Sequence, residues 1–174
     1  MKIQLKHLLK NFTGIQIFRN SLPRGVDLSN DIMRIRPYEL QEIWDIGAHK
    51  GETTLKFAGD FPTALIRSFE PVSENYYSLR NNCSHLKNQS SHNIALGEEN
   101  KKTKIFLQGA SVIHSLRDDL NKPLAEDTKS EDIDVKTIDY VINEFKTASI
   151  DLLKIDVEGY EIEVLKGAFK SLSK

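Results

Sequence analysis

The chain has 174 residues, a length that suits one folded domain, and its 39% hydrophobic content excludes disorder as the main state. The 24 basic and 25 acidic residues give a net charge of −1, which argues against a basic nucleic-acid-binding domain. One cysteine excludes an internal disulfide and a thiolate zinc cluster. No secretory signal and no apolar run of about 18 residues is found, so we expect a cytoplasmic protein without a membrane span.

Residues 1–40 are predicted to be an N-terminal helical and loop extension with no evident chemistry. Apolar residues at helical spacing, surrounded by lysines, predict a short amphipathic helix: Leu5, Leu8, Leu9 and Phe12. We expect this helix to pack on the flank of the domain, although its basic face also suits peripheral contact with a membrane. Further along, a loop region is indicated by Pro23, Gly25 and Pro37.

From residue 41 onwards, predicted strands alternate with predicted helices. Short apolar runs predict strands at 43–46, 65–69, 93–96 and 150–155, and the last, which is strongly apolar, is predicted to be the best buried parallel strand. Two further segments alternate at period two and predict a strand pair around a polar loop: 104–107 and 133–138. The alternation predicts an α/β fold with a mostly parallel sheet and helices on both faces.

Two predicted helices show clear apolar stripes. The helix after Pro71 places a row of residues at steps of three and four, which makes Cys83 a core thiol rather than a catalytic one: Val72, Tyr76, Leu79, Cys83 and Leu86. The last helix carries a similar row, which we expect to face inward: Ile162, Leu165, Phe169 and Leu172.

Three acidic turns follow predicted strands, at the sheet edge where ligands bind in such folds. They are Asp45-Ile-Gly-Ala-His-Lys-Gly51, Phe69-Glu70-Pro71 and Asp156-Val-Glu-Gly-Tyr-Glu161. In the first turn Gly47 permits a sharp bend, and Gly51 is expected to let the start of the helix pack close to the ligand. The turn lacks the third glycine of a dinucleotide fingerprint, and no Gly-Lys-Ser/Thr of a phosphate-binding loop follows it.

The acid that leads the first turn suits a positively charged cofactor better than a pyrophosphate. S-Adenosylmethionine carries an ammonium and a sulfonium that Asp45 would attract, whereas the same charge would repel two phosphates. Glu70 lies nineteen positions past Gly51, where a carboxylate can accept both hydroxyls of a ribose. Taken singly, Asp45 is equally well a helix cap and Glu70 a surface acid, but their occurrence at consecutive strand ends favours a cofactor site.

The third turn lies within a segment that resembles the signature of the FkbM-type methyltransferases, residues 150–168, Ile150-Asp-Leu-Leu-Lys-Ile-Asp-Val-Glu-Gly-Tyr-Glu-Ile-Glu-Val-Leu-Lys-Gly-Ala168. Other landmarks of that family occur in order: Asp45-Ile-Gly-Ala-His-Lys-Gly51-Glu-Thr, Ser68-Phe-Glu-Pro71, Asn93-Ile-Ala-Leu-Gly97 and Val135-Lys-Thr-Ile-Asp139. The resemblance runs from about residue 42 to residue 169. It implies a Rossmann-like class I fold and an S-adenosylmethionine-dependent O-methyltransferase that modifies a hydroxyl of a sugar or secondary metabolite.

The resemblance also implies where the cofactor is bound. Position by position, the implied cofactor-binding residues are Asp45, Gly47, Ala48 and Gly51 at the methionine part, Glu70 at the ribose, and Ala95 and Leu96 near the adenine. His49 occupies a position where Asn often stands in such proteins, which is a mild departure because the backbone matters more there than the side chain.

Methyl transfer to an alcohol requires a base close to the acceptor hydroxyl, which contributes about 10²–10⁴-fold to the rate. Asp156 is the first candidate because it ends the most apolar strand, Glu158 is the second, and His114, in a loop that could reach the site, is the third. Acids at the start of a helix are also favoured by about 0.3–1 kcal/mol through the helix dipole, which explains some of them without catalysis. The paired acids have no evident third ligand, so we expect no metal.

The chain ends at Lys174, directly after the helix that follows strand 150–155. Because methyltransferase sheets of this type usually continue, we expect a domain at 41–174 that lacks its C-terminal strands and exposes an apolar edge. A homodimer that completes the sheet and a family variant without the remainder are alternatives. Two other functions stay open, a non-catalytic remnant that binds the cofactor and a nucleotide-dependent oxidoreductase, the second disfavoured by Asp45.

Overall fold

The computed structural model describes residues 24–35, 38–107, 114–115 and 129–173. The contacts divide the chain into two compact units, residues 1–38 and residues 39–174. The described residues of the first unit contain helix α1 (Leu28–Ile35). Those of the second unit contain, in chain order, β1 (Glu42–Ile46), α2 (Glu52–Asp60), β2 (Leu65–Phe69), α3 (Ser73–Cys83), β3 (Gln89–His92), β4 (Ala95–Leu96), β5 (Lys101–Leu107), β6 (His114–Ser115), β7 (Lys129–Lys136), α4 (Ile138–Phe145), β8 (Leu152–Ile155), α5 (Glu161–Lys166) and α6 (Phe169–Leu172).

Helix α1 occupies part of the segment that the sequence predicts as a loop. The carboxylate of Asp27 accepts the backbone N–H of Asn30 at 2.9 Å, which satisfies a donor that the first turn of a helix otherwise leaves unpaired. The loop prediction is therefore wrong over Leu28–Ile35, because it relied on the flanking glycine and prolines and overlooked this capping residue. The amphipathic helix predicted around residues 5–12 lies outside the described residues.

The central sheet has the strand order β3-β2-β1-β8, and every pair in it is parallel. All five residues of β1 are buried, so both faces of this strand are covered, as expected for a parallel sheet between helices. On one face Trp44 packs against Phe69 with ring centroids 5.0 Å apart, in a core that includes Val141 of α4 and Val164 of α5. This confirms the predicted α/β fold with a mostly parallel sheet flanked by helices.

Helix α3 contributes to a second apolar cluster, formed by Ala48, Leu79 and Cys83. Burial raises the pKa of the Cys83 thiol, and the negative charge of Asp45 raises it further, so the reactive thiolate is disfavoured. The structure thus confirms Cys83 as part of the core.

A smaller sheet has the order β4-β7-β5-β6. Strands β5 and β7 pair antiparallel, with Ile105 opposite Glu131 and Lys101 opposite Val135, which confirms the predicted strand pair. Ile138 is not part of that pair: it begins α4, a helix that Thr137 caps by accepting the backbone N–H of Tyr140 at 3.0 Å.

The third strand of the central sheet is Gln89–His92, not the predicted segment 93–96. Its four residues are polar, and each is only half buried, so apolar patterning could not identify the strand. Of the predicted segment, Ala95–Leu96 forms β4 and pairs with β7 in the smaller sheet.

The predicted inward row on the last helix is wrong. Ile162 is 61% exposed and Phe169 is 73% exposed, and the residues that face the core are Val164 and Ala168. The helix stops at Gly167, where an added Cβ would overlap the carbonyl oxygen of Gly97. Small residues let this face of the helix approach the neighbouring backbone closely, so the smaller side chains are buried and the larger ones face solvent.

Among the described residues, β8 pairs with β1 alone and so forms an edge of the central sheet. The strand is parallel as predicted, but its residues are only half buried, because one side of it has no neighbouring strand in the described part of the chain. The prediction that it is the best buried strand is therefore wrong, and the fully buried strand of the central sheet is β1. No helix in the described ranges is long and apolar enough to cross a membrane.

Candidate functional site

A cavity of about 260 Å³ lies at the carboxyl ends of the central strands. Ile46 at the end of β1 and Phe69 at the end of β2 contribute to its wall, and Asp156 follows directly on β8. This is the edge at which open α/β sheets bind their ligands. The three acidic turns that the sequence singles out therefore meet at one place.

The β1 turn, residues 47–51, is held against the end of β2. The backbone N–H groups of Gly47 and Ala48 both donate to the carbonyl oxygen of Phe69, at 3.0 and 3.1 Å. Gly47 has φ of +74°, and an added Cβ would overlap the carbonyl oxygen of Asp156. Gly47 and Ala48, two of the predicted cofactor residues, line the cavity.

Gly51 is needed for a contact with α3. It has φ of +94°, and a Cβ there would lie 2.8 Å from Leu79 Cδ1 and 3.1 Å from Cys83 Sγ. The close approach permitted by this glycine is thus between the start of α2 and helix α3. Gly51 does not belong to the residues that line the cavity.

A row of polar side chains crosses the central sheet and ends at the cavity. These side chains, here called the polar row, are cross-strand neighbours on β3, β2, β1 and β8: Ser91, Ser68, Asp45 and Lys154. Thr54 Oγ1 donates to Asp45 Oδ2 at 2.7 Å and lies 2.8 Å from Ser68 Oγ, and Gln89 Nε2 donates to Ser68 and to Ser91. Hydrogen bonds therefore connect the row from one edge of the sheet to β1.

Asp45 belongs to the polar row rather than to the cavity wall. Its side chain is 0% exposed, and its second oxygen, Oδ1, lies 2.9 Å from Lys154 Nζ. The ammonium also donates to the carbonyl oxygen of Gly47 at 3.0 Å. Asp45 does not line the cavity itself, but its ion-pair partner Lys154 does.

Glu70 lines the cavity with its carboxylate held by two backbone groups. Oε2 accepts the N–H of His49 at 2.9 Å and Oε1 accepts the N–H of Val72 at 3.0 Å. Burial raises the pKa of the Glu70 carboxyl, and these two N–H groups together with Asn75 act in the opposite direction. A carboxylate offers about four lone-pair positions, and these three donors take three of them, so Glu70 keeps capacity for about one hydrogen bond from a ligand.

The β8 turn, residues 156–160, forms the opposite wall. Asp156 is 69% exposed there, with Oδ2 3.7 Å from Lys154 Nζ. Glu158 lines the cavity in a left-handed backbone conformation, with φ of +52°. Glu161 accepts the backbone N–H of Gly159 at 3.0 Å, which supports the turn.

The remaining wall is apolar. Ala95 and Leu96 of β4 lie in it as a short buried strand, next to Ile94. Ile105 of β5 and Val72 at the start of α3 complete this side and pack with Ala95 in one cluster. The cavity therefore combines an apolar side with a side that carries carboxylates.

Two sequence-based predictions are not settled by this geometry. His114 lies in β6, where its backbone pairs with Leu107, but its side chain is outside the described part of the structure. Among the described residues no group of three His, Cys, Asp or Glu side chains is placed to hold a metal ion, and the expectation of no metal stays a prediction.

Sequence reasoning missed several residues of the wall. Lys154 is not among the predicted site residues, yet its register opposite Asp45 brings it between the β1 and β8 turns. A lysine inside an apolar strand is the signal that could have identified it, since such a charge requires a partner. Three other wall residues lie within the quoted motifs but were given no role: Glu52, Thr53 and Tyr160. Asn75 and Ile105 come from elements that the motifs do not cover.

Comparisons with known proteins agree with this geometry. The sequence model of a family described as "Methyltransferase FkbM domain" matches residues 45–174, a range that includes every acid in the cavity wall. The curated protein "Methyltransferase 1" of Beauveria bassiana is 27% identical over 142 residues, an alignment that covers 72% of this chain. The chain spans 57% of the length of that relative.

Proposed function

Because this chain belongs to the FkbM methyltransferase family, we propose that it transfers a methyl group from S-adenosylmethionine to a hydroxyl oxygen of a sugar or secondary metabolite. The observation that carries the proposal is the charge of the cavity wall, which contains four carboxylates: Glu52, Glu70, Asp156 and Glu158. Lys154, in the same wall, has its charge paired with buried Asp45. Such a wall attracts the ammonium and sulfonium of S-adenosylmethionine and repels the two phosphates of a dinucleotide.

The cofactor would be held by carboxylates on one side of the cavity and by apolar residues on the other. Glu70 has acceptor capacity for about one ribose hydroxyl beyond the donors that fix it, the N–H groups of His49 and Val72 and the side chain of Asn75. The apolar side around Ala95, Leu96 and Ile105 suits an adenine ring. Asp45 would act indirectly in this arrangement, by fixing Lys154 and the β1 turn.

Bound S-adenosylmethionine would supply a methyl group on a positively charged sulfur, which leaves as a neutral thioether when the acceptor oxygen bonds to the methyl carbon. Asp156 is the residue we propose as the base that takes the proton of the acceptor hydroxyl, because its carboxylate is exposed in the wall. Glu158 in the same turn is the second candidate and His114 the third. The wall would also align the acceptor oxygen for an in-line displacement.

The first test is a calorimetric titration of the chain with S-adenosylmethionine and, separately, with NAD. We expect S-adenosylmethionine to bind and NAD not to bind. The variant Glu70→Ala should weaken binding of S-adenosylmethionine by about 1–3 kcal/mol, the loss expected for a charge-assisted hydrogen bond. Glu144→Ala is the matched control, since Glu144 is exposed on α4 and does not line the cavity.

Binding of NAD alone would overturn the proposal, and an unchanged affinity of Glu70→Ala would overturn the ribose assignment. Transfer itself is tested with S-adenosylmethionine labelled on its methyl group and a panel of sugars and hydroxylated metabolites. Label that appears on an acceptor oxygen would establish the O-methyltransferase activity. Tight cofactor binding with no labelled acceptor would instead favour a binding protein without turnover.

A further inference from the structure

Lys154 is the point at which three parts of the molecule meet. Its ammonium lies 2.9 Å from Asp45 Oδ1 in the polar row and donates to the carbonyl oxygen of Gly47 at 3.0 Å in the β1 turn. It also lies 3.7 Å from Asp156 Oδ2 in the β8 turn. The side chain is 17% exposed, so the ammonium is held largely inside the protein while one side of it reaches the cavity.

The two shorter contacts hold the ammonium in place. Asp45 is itself fixed by the hydroxyl of Thr54, and Gly47 is fixed by its N–H bond to the Phe69 carbonyl oxygen. The cation therefore has little freedom to move. Asp156, in contrast, is 69% exposed and lies on a turn, so its carboxylate gains a defined position from a fixed cation beside it.

We infer that Lys154 is a positioning residue, which holds the Asp156 carboxylate at the methyl-transfer face of the cavity. A base contributes to proton transfer only when it lies within hydrogen-bond reach of the acceptor, so restricting an exposed carboxylate has a direct consequence for the reaction. The inference rests on the proposed function, because it presumes that S-adenosylmethionine binds in this cavity.

The charge of Lys154 acting directly on the cofactor would change the binding preference in the direction opposite to its effect through Asp156. A cation in the wall repels a sulfonium, so if Lys154 acted only through its own charge, its removal would favour S-adenosylmethionine over the neutral thioether S-adenosylhomocysteine. If Lys154 acts by holding Asp156 near the sulfonium, its removal disfavours S-adenosylmethionine. The ratio of the two dissociation constants therefore distinguishes the two roles, without any need for the acceptor.

The test variant combines Lys154→Met with Asp45→Asn. This pair of substitutions removes both members of the buried ion pair, leaves no unpaired charge in the interior, and retains an oxygen that can accept from Thr54. The net charge of the protein is unchanged. Equilibrium unfolding in urea establishes that the paired variant is folded, and the single variant Asp156→Asn and the triple variant complete the cycle.

The dissociation constants of S-adenosylmethionine and S-adenosylhomocysteine are then measured by calorimetry for all four proteins. We expect the preference of the wild type for S-adenosylmethionine to fall by about two- to fivefold in the paired variant, and similarly in Asp156→Asn. In the Asp156→Asn background the paired substitution should have no further effect on the preference.

Three results would overturn the inference: a preference that rises in the paired variant, one that does not change, or one that falls equally with and without Asp156. If Lys154 had only a structural role, the paired variant would bind both ligands more weakly to the same extent, and the preference would not change. Failure of the wild type to bind either ligand would refute the proposed function itself, and it would be seen before any variant is compared.

Discussion

Strands β1 and β8 are neighbours in the central sheet, yet the acids near their carboxyl ends occupy different environments. Asp45 is the fourth of the five residues of β1 and points into the interior, where Thr54 and Lys154 contact it. Asp156 comes just after the last residue of β8 and lies exposed in the cavity wall. The register places Asp45 beside Lys154, not beside Asp156. A difference of two positions along aligned strands thus separates an acid that supports the site from one that is available to a ligand.

The substitution with the largest expected effect tests whether the two turns depend on each other. In Gly47→Ala the added methyl group would overlap the Asp156 carbonyl oxygen at a residue with φ of +74°. We expect a loss of about 2–5 kcal/mol in the free energy of unfolding, from backbone strain and overpacking together. Urea denaturation monitored by circular dichroism measures this loss.

Gly59→Ala provides the control, because Gly59 lies in α2 and an added Cβ has no atom within 4 Å. This substitution should raise the free energy of unfolding by up to about 1 kcal/mol through helix propensity. If Gly47→Ala were as stable as Gly59→Ala, the close packing of the β1 turn on the β8 turn would be refuted.

The next prediction compares the loss of stability when Asp45 or Asp156 is replaced by alanine. Asp45→Ala leaves Lys154 without its buried partner and should cost about 3 kcal/mol of stability, the lower end for a broken buried pair because Lys154 keeps some contact with water. Asp156→Ala removes an exposed carboxylate and should change stability by no more than about 0.5 kcal/mol. Urea denaturation of both variants measures the difference, and equal losses would contradict the contrast between the two turns.

The sequence was sufficient to predict that acids end the central strands. Two apolar runs predict strand and turn from local residues alone, 43–46 with Gly47 after it and 65–69 with Glu70-Pro71 after it. The parallel sheet follows from their alternation with helices. Hence the meeting of Glu70, Asp156 and Glu158 at one cavity could be predicted without coordinates.

What each acid contacts could not be predicted, since this depends on register between distant segments. Asp45 and Lys154 are 109 positions apart, and only the pairing of β1 with β8 brings them together. The last helix shows the same limit: the row that includes Ile162 and Phe169 is the more hydrophobic, but the close approach of Gly167 to Gly97 buries the opposite face. Close backbone packing overrides hydrophobic periodicity there.

The smallest expected effect concerns Glu70, which follows β2 and contacts the β1 turn by accepting the N–H of His49. Burial raises the pKa of the Glu70 carboxyl above its usual value of 4.5, so the folded protein binds this proton more tightly than the unfolded chain does. The resulting stability is present below about pH 4.5 and is lost as the pH rises through the folded-state pKa. Glu70→Gln cannot titrate, so its free energy of unfolding should increase relative to the wild type over this range.

Urea denaturation of the wild type and of Glu70→Gln between pH 4 and pH 8 measures that difference. Val164→Ala is the control, since it removes a buried group that does not titrate, and its difference from the wild type should not change with pH. A difference for Glu70→Gln that decreases as pH rises would mean that the N–H groups of His49 and Val72 stabilise the carboxylate more than burial destabilises it. Glu70 would then resemble Asp45, as an acid whose charge the fold itself requires.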